Sequence, residues 1–325
     1  MREKSSILIT GGTGSLGHEL VKLLLKSENV ERIVIFSRDE YKQFLMRQKF
    51  NFNPKLRWFL GDVRDLDRLK LAFSDIDYVI HCAALKQVDT GEYNPLEFIK
   101  TNVSGSANVI EASIESRVKK TISLSTDKAS SPINLYGATK LTSDKLFISG
   151  NNYGAKKGSS FSVVRYGNVF GSRGSVIEKW REITSLDAPF QITDKRMTRF
   201  WITIHEAAKF VLESFDLMVG GEIFVPKIPS MKIIDIATAI SPEKELVEIG
   251  IRPGEKLHEE MIPVHDANRT TLRGRRYTVY PAFSDWKEIE MQGVLVDNDF
   301  CYSSDRNDEW LTINEIKNII NEKHK

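Results

Sequence analysis

Cysteine is nearly absent: Cys82 and Cys301 are the only two in 325 residues. That excludes a disulfide framework and leaves no CxxC-type metal spacing, so both read as packing residues and no metal site is expected. Long hydrophobic runs are missing as well. No stretch approaches 18 apolar residues, which excludes a membrane-spanning helix by hydropathy. The chain opens Met1-Arg2-Glu3-Lys4 and enters a short apolar strand at once, without the apolar segment of a signal peptide, so a cytoplasmic protein is expected. An excess of one charge is the third absence: 46 basic side chains stand against 44 acidic ones, for a formal charge of +2. Such a balance provides no global field to hold nucleic acid or an anionic membrane, so neither is an expected partner. Any anion must be bound locally. No internal repeat or low-complexity segment is seen, and 41% hydrophobic residues over this length suffice for one large domain with an appendage, or for two domains.

What is present is an alternation. Ser6-Ile7-Leu8-Ile9-Thr10, Arg32-Ile33-Val34-Ile35-Phe36, Leu56-Arg57-Trp58-Phe59-Leu60, Tyr78-Val79-Ile80-His81, Thr121-Ile122-Ser123-Leu124 and Phe161-Ser162-Val163-Val164 read as strands, with helix-length stretches between them. Strands alternating with crossovers predict an α/β fold, a Rossmann-like doubly wound parallel sheet covered on both faces. From Asn168 the pattern loosens into short strands, Gly/Pro punctuation and helices near 205–217 and 233–240, with an amphipathic helix over 312–325. The expected division is a nucleotide-binding domain over 1–167 and a smaller α/β substrate lobe over 168–325, interleaved with the first.

Between the first strand and first helix, Gly11, Gly14 and Gly17 fall at GxxGxxG spacing within Thr10-Gly11-Gly12-Thr13-Gly14-Ser15-Leu16-Gly17. Glycines there permit a tight turn, close approach of a pyrophosphate and close helix packing, while helix N-terminal amides bind the phosphate. Glycine turns are common, and it is the strand-to-helix position that makes this one a dinucleotide signal. After the second strand come Ser37, Arg38, Asp39 and Lys42. Cations at that edge suit the 2′-phosphate of NADP, whereas Asp39 keeps NAD open. After the third strand, the Asp62 carboxylate is placed to meet an adenine amino group, beside Val63. Tyr136 and Lys140 form a YxxxK pair, four apart and therefore on one helix face. The Lys140 ammonium is expected to favour the phenolate of Tyr136 and make it a usable base.

Thr126-Asp127-Lys128 stands at the end of the strand that closes with Ser125-Thr126, and the bland alternative for Asp127-Lys128 is a salt-linked surface turn. At this triplet the chain resembles the extended short-chain dehydrogenase/reductases, and within them the C5-inverting UDP-N-acetylglucosamine 4,6-dehydratases of bacterial polysaccharide and pseudaminic acid biosynthesis. The resemblance runs along nearly the whole chain. It includes Gly61-Asp62-Val63-Arg64-Asp65, Ala83-Ala84-Leu85-Lys86, Asn134-Leu135-Tyr136-Gly137-Ala138-Thr139-Lys140, Arg165-Tyr166-Gly167-Asn168-Val169, Met197-Thr198-Arg199-Phe200-Trp201 and Arg252-Pro253-Gly254-Glu255-Lys256. It implies a bound NADP, contacted by the glycine turn (Gly11, Thr13, Gly14, Ser15, Leu16, Gly17), by Ser37, Arg38, Asp39 and Lys42, and by Asp62, Val63, Ala83, Ala84, Tyr136 and Lys140. It implies a UDP-sugar substrate held by Lys86, Asn168, Arg173, Thr193, Arg199, Arg252 and Glu255, and a homo-oligomer between dimer and hexamer.

The chemistry implied is oxidation at C4, loss of water across C5 and C6, and return of the hydride to C6. Thr126 and Tyr136 would serve O4, Lys128 would remove the C5 proton, and Asp127 would protonate the departing O6. Lys128 can act as a base only when neutral, and the sequence leaves its protonation open. There is a departure: Gln87-Val88-Asp89 stands where the family pattern has His-Val-Pro. Other readings remain: a C5-retaining dehydratase, a C4 epimerase, or a non-catalytic NADP-sensing protein. His81, in an apolar strand, reads as a core residue, His258-Glu259-Glu260 lacks zinc-site spacing, and the basic segment 269–276 reads as a solvated loop.

Overall fold

The computed structural model describes residues 4–171, 176–186 and 188–322. Its centre is a ten-stranded sheet. The first six strands are β1 (Ser5–Thr10), β2 (Val30–Ser37), β3 (Leu56–Leu60), β4 (Tyr78–His81), β5 (Lys120–Thr126) and β6 (Ser160–Tyr166), all parallel and in spatial order 3-2-1-4-5-6. Order reverses between β1 and β4, and a crevice opens at such a switch point beyond the carboxyl ends of the strands. Buried on both faces, the strands read as near-continuous apolar runs: Ile7, Leu8, Ile9, Ile33, Val34 and Ile35 are all at most 2% exposed.

Helices α1 (Ser15–Leu24), α2 (Glu40–Lys49) and α3 (Leu66–Phe73) connect the first four strands. Helix α1 buries Gly17, Leu20, Val21 and Leu24, the i, i+3, i+4, i+7 stripe of a sheet-covering helix. The β4–β5 crossover holds α4 (Val88–Tyr93), α5 (Pro95–Phe98), a π-helical turn over Ile99–Ser104 and α6 (Gly105–Glu115); α7 (Leu135–Gly154) joins β5 to β6.

The sheet does not stop at residue 167. Ile223–Pro226 adds parallel to β6, and Arg276–Val279, Thr270–Arg273 and Val294–Leu295 extend it antiparallel. The basic segment expected as a solvated loop is therefore a hairpin inside the sheet. Three of its four arginines have partners: Arg269 bonds Asp266 and the Tyr280 carbonyl, Arg275 pairs with Glu309, and Arg276 lies 3.8 Å over the Phe210 ring.

A second, smaller apolar cluster gathers Phe170, Trp180, Phe190, Trp201, Ile236, Ile316 and Ile320. Short strands Asn168–Phe170, Thr198–Thr203 and Ser230–Lys232 form a three-stranded sheet beside it. The C-terminal helix Ile313–Glu322, only 10 residues long, is marginal alone in water. Docking of Ile316 and Ile320 contributes about 1.5–3 kcal/mol each and holds it. Among the described residues no helix is long and apolar enough to cross a membrane.

Candidate active site

The glycine turn sits at the carboxyl end of β1. Gly11 has φ +63°, and a Cβ there would lie 2.8 Å from the backbone of Ala83, which follows β4. A Cβ on Gly17 would lie 2.1 Å from the Gly12 carbonyl, so α1 packs onto the turn only with glycine at that position. Gly14 is the N-cap and supplies no side-chain bond, leaving the first-turn amides at Ser15 and Leu16 uncapped. An uncapped helix start at a switch-point crevice is a ready anion site. Thr13 is buried beside it. The far wall is fixed by Asn102 of the π-helical turn, whose side chain bonds both backbone groups of Leu85 (2.8 and 2.9 Å) and the Thr139 hydroxyl (3.0 Å), holding Ala83 and Ala84 against α7. Sequence reading passed over Asn102, since a lone Asn in a helical stretch gives no signal.

At the adenosine end the expected residues divide. Ser37 is buried, and its hydroxyl accepts from Gln43 at 3.0 Å. Asp39, the residue that kept NAD open, caps α2 through the Lys42 amide at 2.9 Å and pairs with the Lys42 ammonium at 2.7 Å. Those bonds hold its carboxyl below the usual aspartate range. Arg38 keeps a half-exposed side chain, 3.5 Å from Asp62. Asp62 is gripped by Arg64 through bonds of 2.8 and 3.0 Å, which outweigh desolvation and lower its proton affinity. Val63 is buried under α6, against Gly105.

The reactive cluster forms where β5 ends. Thr126 is the last strand residue, and Asp127 and Lys128 enter a short 3₁₀ turn, Asp127–Ala129. The Thr126 hydroxyl donates to Asp127 Oδ1 at 2.9 Å, and Lys128 Nζ donates to the same oxygen at 3.0 Å. Asp127 is fully buried, and its Oδ2 has no partner among the described residues. A salt-linked surface turn does not describe this pair, because the carboxylate is buried and only the Lys128 side chain, 23% exposed, reaches the surface. Helix α7, capped by Asn134 onto the Gly137 amide at 2.7 Å, brings the Tyr136 hydroxyl to face Thr126. A Cβ on Gly137 would lie 2.1 Å from the Lys128 carbonyl, so the helix start and the turn Asp127–Ala129 are in contact.

Two electrostatic expectations change. Burial pushes the Tyr136 phenol up to about 12, and the cation opposing that rise is Lys128, not Lys140. Lys140 sits one turn further along α7, 3% exposed, facing Asp144; burial lowers its proton affinity, and its ammonium has no hydrogen-bond partner among the described residues. Lys128 itself is held above the ordinary lysine value. Burial favours its neutral form, but Asp127 and Glu259 together outweigh burial, with Arg199 a weaker opposing charge. In the ligand-free protein these two carboxylates favour the ammonium form of Lys128.

Glu259 was considered in the sequence only for zinc, and no group of metal-ligating residues occurs among the described residues. Its Oε1 lies 3.2 Å from Lys128 Nζ, 131 residues away in the chain. Arg199 is the other correction. The guanidinium expected at a diphosphate is buried and donates to the carbonyls of Thr198 (2.7 Å), Lys256 (3.0 Å) and Leu257 (3.1 Å), so it fastens this segment instead. Arg252 stays exposed, 4.0 Å from Glu255, on a loop whose Gly254 carbonyl accepts from Asn134 at 2.7 Å. Lys86 is exposed beyond β4, and Asn168 begins the strand after β6. Thr193 donates to the Met197 sulfur at 2.9 Å and joins no contact of the reactive cluster. Arg173 lies outside the described residues. His81, as expected, is a core residue, 2.8 Å from the Thr10 hydroxyl, with burial driving its pKa down to about 3.

The uncapped α1 start, the partnerless Lys140 ammonium and the exposed Arg38 fit a dinucleotide with its phosphates at the glycine turn and its reactive ring near Tyr136. Comparison with known proteins agrees in kind. A polysaccharide biosynthesis protein family matches residues 7–281. A UDP-N-acetylglucosamine 4,6-dehydratase (inverting) from Campylobacter jejuni is 51% identical over 330 residues, covering 99% of this chain and 98% of the relative. A UDP-glucose 4-epimerase from Rickettsia felis is 40% identical, covering 97% and 95%. The solved structure of Pen from Bacillus thuringiensis superimposes with a TM-score of 0.91 at 33% identity, covering 99% of this chain and 98% of that one. The chain belongs to this polysaccharide biosynthesis family of extended short-chain dehydrogenase/reductases, the family of the inverting UDP-N-acetylglucosamine 4,6-dehydratases.

Proposed function

We propose that this protein is an NADP-dependent UDP-N-acetylglucosamine 4,6-dehydratase that inverts C5 and yields UDP-2-acetamido-2,6-dideoxy-β-L-arabino-hexos-4-ulose. The observation that carries the reading is the ion pair of buried Asp127 with partly buried Lys128, 3.0 Å apart, with Thr126 bonded to the same carboxylate and Tyr136 facing it. A C4 epimerase needs groups at O4 and a hydride carrier; it has no work for a second acid–base pair. A sensor without turnover has no work for either.

The cofactor would be held by the glycine turn, Arg38 and Lys140, and when bound it would accept the C4 hydride and give it back at C6. Tyr136 takes the O4 proton, with Thr126 hydrogen-bonded to the same oxygen. Because the C5 hydrogen is acidic only beside a C4 ketone, the elimination groups act second. Lys128 rests as an ammonium bonded to Asp127. One proton moving along that bond makes Lys128 a neutral base and Asp127 a neutral acid. Lys128 then removes the C5 proton, Asp127 protonates O6, water departs, and the pair is back in its resting charge state. Inversion requires that C5 be reprotonated from the opposite face. Lys86, Asn168, Arg173, Thr193, Arg252 and Glu255 remain the proposed UDP-sugar contacts, with residues 1–167 serving the cofactor and 168–325 the substrate.

The test is the product formed by purified protein from UDP-N-acetylglucosamine in deuterated buffer, read by NMR. A 6-deoxy-4-keto sugar with deuterium at C5 and inverted configuration is expected. A product that is only the C4 epimer, or a 6-deoxy sugar with C5 retained, refutes the reading.

A further inference from the structure

Lys128 is held between two carboxylates that come from different parts of the chain. Asp127 is its neighbour in sequence. Glu259 arrives from the segment preceding the strand Glu260–Ile262, and its backbone is pinned on both sides by Ser304: the Glu259 amide donates to the Ser304 hydroxyl at 2.9 Å, and the Ser304 amide donates to the Glu259 carbonyl at 2.7 Å. That hydroxyl donates in turn to the Thr198 carbonyl at 3.1 Å. The Glu259 side chain is 3% exposed, with Oε1 3.2 Å from Lys128 Nζ and 3.8 Å from Arg199 Nε. Its Oε2 is buried and has no partner among the described residues. A carboxylate so buried costs several kcal/mol of desolvation unless paired, and it is seated here by backbone bonds that fix its direction.

We propose that Glu259 is a positioning residue of the elimination step, fixing the Lys128 ammonium against Asp127 and keeping it charged until the C4 ketone forms. The inference rests on the dehydratase reading for its purpose, but not for its test. The groups facing Lys128 are Asp127 on its own turn, Glu259, Arg199 from the strand Thr198–Thr203, and Tyr136 from α7. Asp127 alone would let the ammonium swing about one bond; two anions on separate elements define one position. They also oppose the proton transfer to Asp127, so removing Glu259 frees Lys128 from its proton more readily.

The experiment is Glu259→Gln, close in shape and without the charge. Competitive acetylation with acetic anhydride, read by mass spectrometry across pH, gives the midpoint at which Lys128 becomes reactive, with exposed Lys49 and Lys156 as internal controls. Reaching a plateau reports charge state independently of access. The parent is expected to show no plateau through about pH 11, whereas Glu259→Gln should reach one, its midpoint lower by about one pH unit or more. The limb of the kcat profile that Lys128 governs should move the same way, with kcat changing more than KM. Glu259→Asp, which keeps the charge but withdraws it, should fall between the two, and it carries the test if Glu259→Gln does not fold. Midpoints identical in parent and variants overturn the inference. Absence of 6-deoxy product from the parent would sink the dehydratase reading alone, since the labelling needs no turnover.

Discussion

Replacing Lys128 by Met keeps much of the side-chain volume and removes the charge. Two consequences follow from the geometry. In chemistry, no base stands at C5, and general-base catalysis is worth about 10² to 10⁴-fold, so formation of the 6-deoxy-4-keto product should fall by that factor. In stability, Asp127 and Glu259, with side chains 1% and 3% exposed, lose the cation that both contact. Breaking a buried ion pair by deleting one partner costs about 3–5 kcal/mol. For a chain of this size, roughly 2–4 °C of Tm accompanies each kcal/mol, so a fall of about 6–20 °C is expected. The sign with pH follows from the direction of the Lys128 shift. Its folded-state pKa is raised above the ordinary 10.5, so the contribution is fully present below that value and lost above it. The Tm gap between parent and variant should stay level from pH 6 to 9 and narrow only beyond about 10.5. Lys128 also opposes the rise of the Tyr136 phenol, so the oxidation should slow in Lys128→Met as well. Lys128→Arg separates the two effects. It keeps the cation but scarcely loses a proton, so oxidation should return, seen as reduced-nicotinamide absorbance, while elimination does not. A Lys128→Met enzyme within a factor of a few of the parent would refute the base role and leave Tyr136 or a water as the C5 base.

Tyr136→Phe should abolish C4 oxidation while leaving dinucleotide binding intact, measured by product NMR and by fluorescence titration; retained turnover would remove Tyr136 from the mechanism. The parent should bind NADP more tightly than NAD, and Arg38→Ala, which deletes an exposed guanidinium, should narrow the preference by about 10- to 100-fold, the worth of one charge-assisted contact; equal affinities in the parent would end that argument. His81 is buried neutral with its pKa driven from 6.5 to about 3, so its contribution is present above pH 6.5 and lost as pH falls toward 3. Urea denaturation should show the stability advantage of the parent over His81→Gln shrinking by several kcal/mol across that window, and a constant advantage would contradict it.

Much of the first half was legible because its signals are local. The β1 run, the glycine turn and the α1 stripe lie within 20 residues of one another, and period and glycine spacing place them without reference to the rest of the fold. The same is true of Tyr136 and Lys140, four apart on α7. The failures share a different cause, which is that sequence shows a charge but not what faces it. Arg276 reads as solvated beside three other arginines, yet its guanidinium lies over Phe210 and bonds Ser214 at 2.6 Å, more than 60 residues away. Arg199 reads as a phosphate ligand, yet carbonyls at Lys256 and Leu257 consume its donors. The assignment of Lys140 as the cation at the phenol followed from helical spacing, which is correct about the face and silent about the nearer Lys128.

The segment from Arg252 to Glu260 ties the later half of the chain to the turn that carries Asp127 and Lys128. Within nine residues, Gly254 accepts from Asn134, which also caps α7; Lys256 donates to the Ser130 carbonyl at 2.6 Å; Glu259 pairs with Lys128; and Glu260 accepts from Ser130 and Ser131 at 2.8 Å each. Every one of those partners lies between Lys128 and Asn134, the turn that carries the reactive pair into the helix of Tyr136. Arg199 fastens the same segment from the strand Thr198–Thr203 of the smaller sheet. With the proposed contacts at Arg252 and Glu255, a sugar nucleotide would pull on the same polypeptide that places Glu259 beside Lys128. Under the proposed function, recognition of the diphosphate and readiness for proton transfer would be two ends of one short stretch of chain, which a substrate lacking the nucleotide would leave slack.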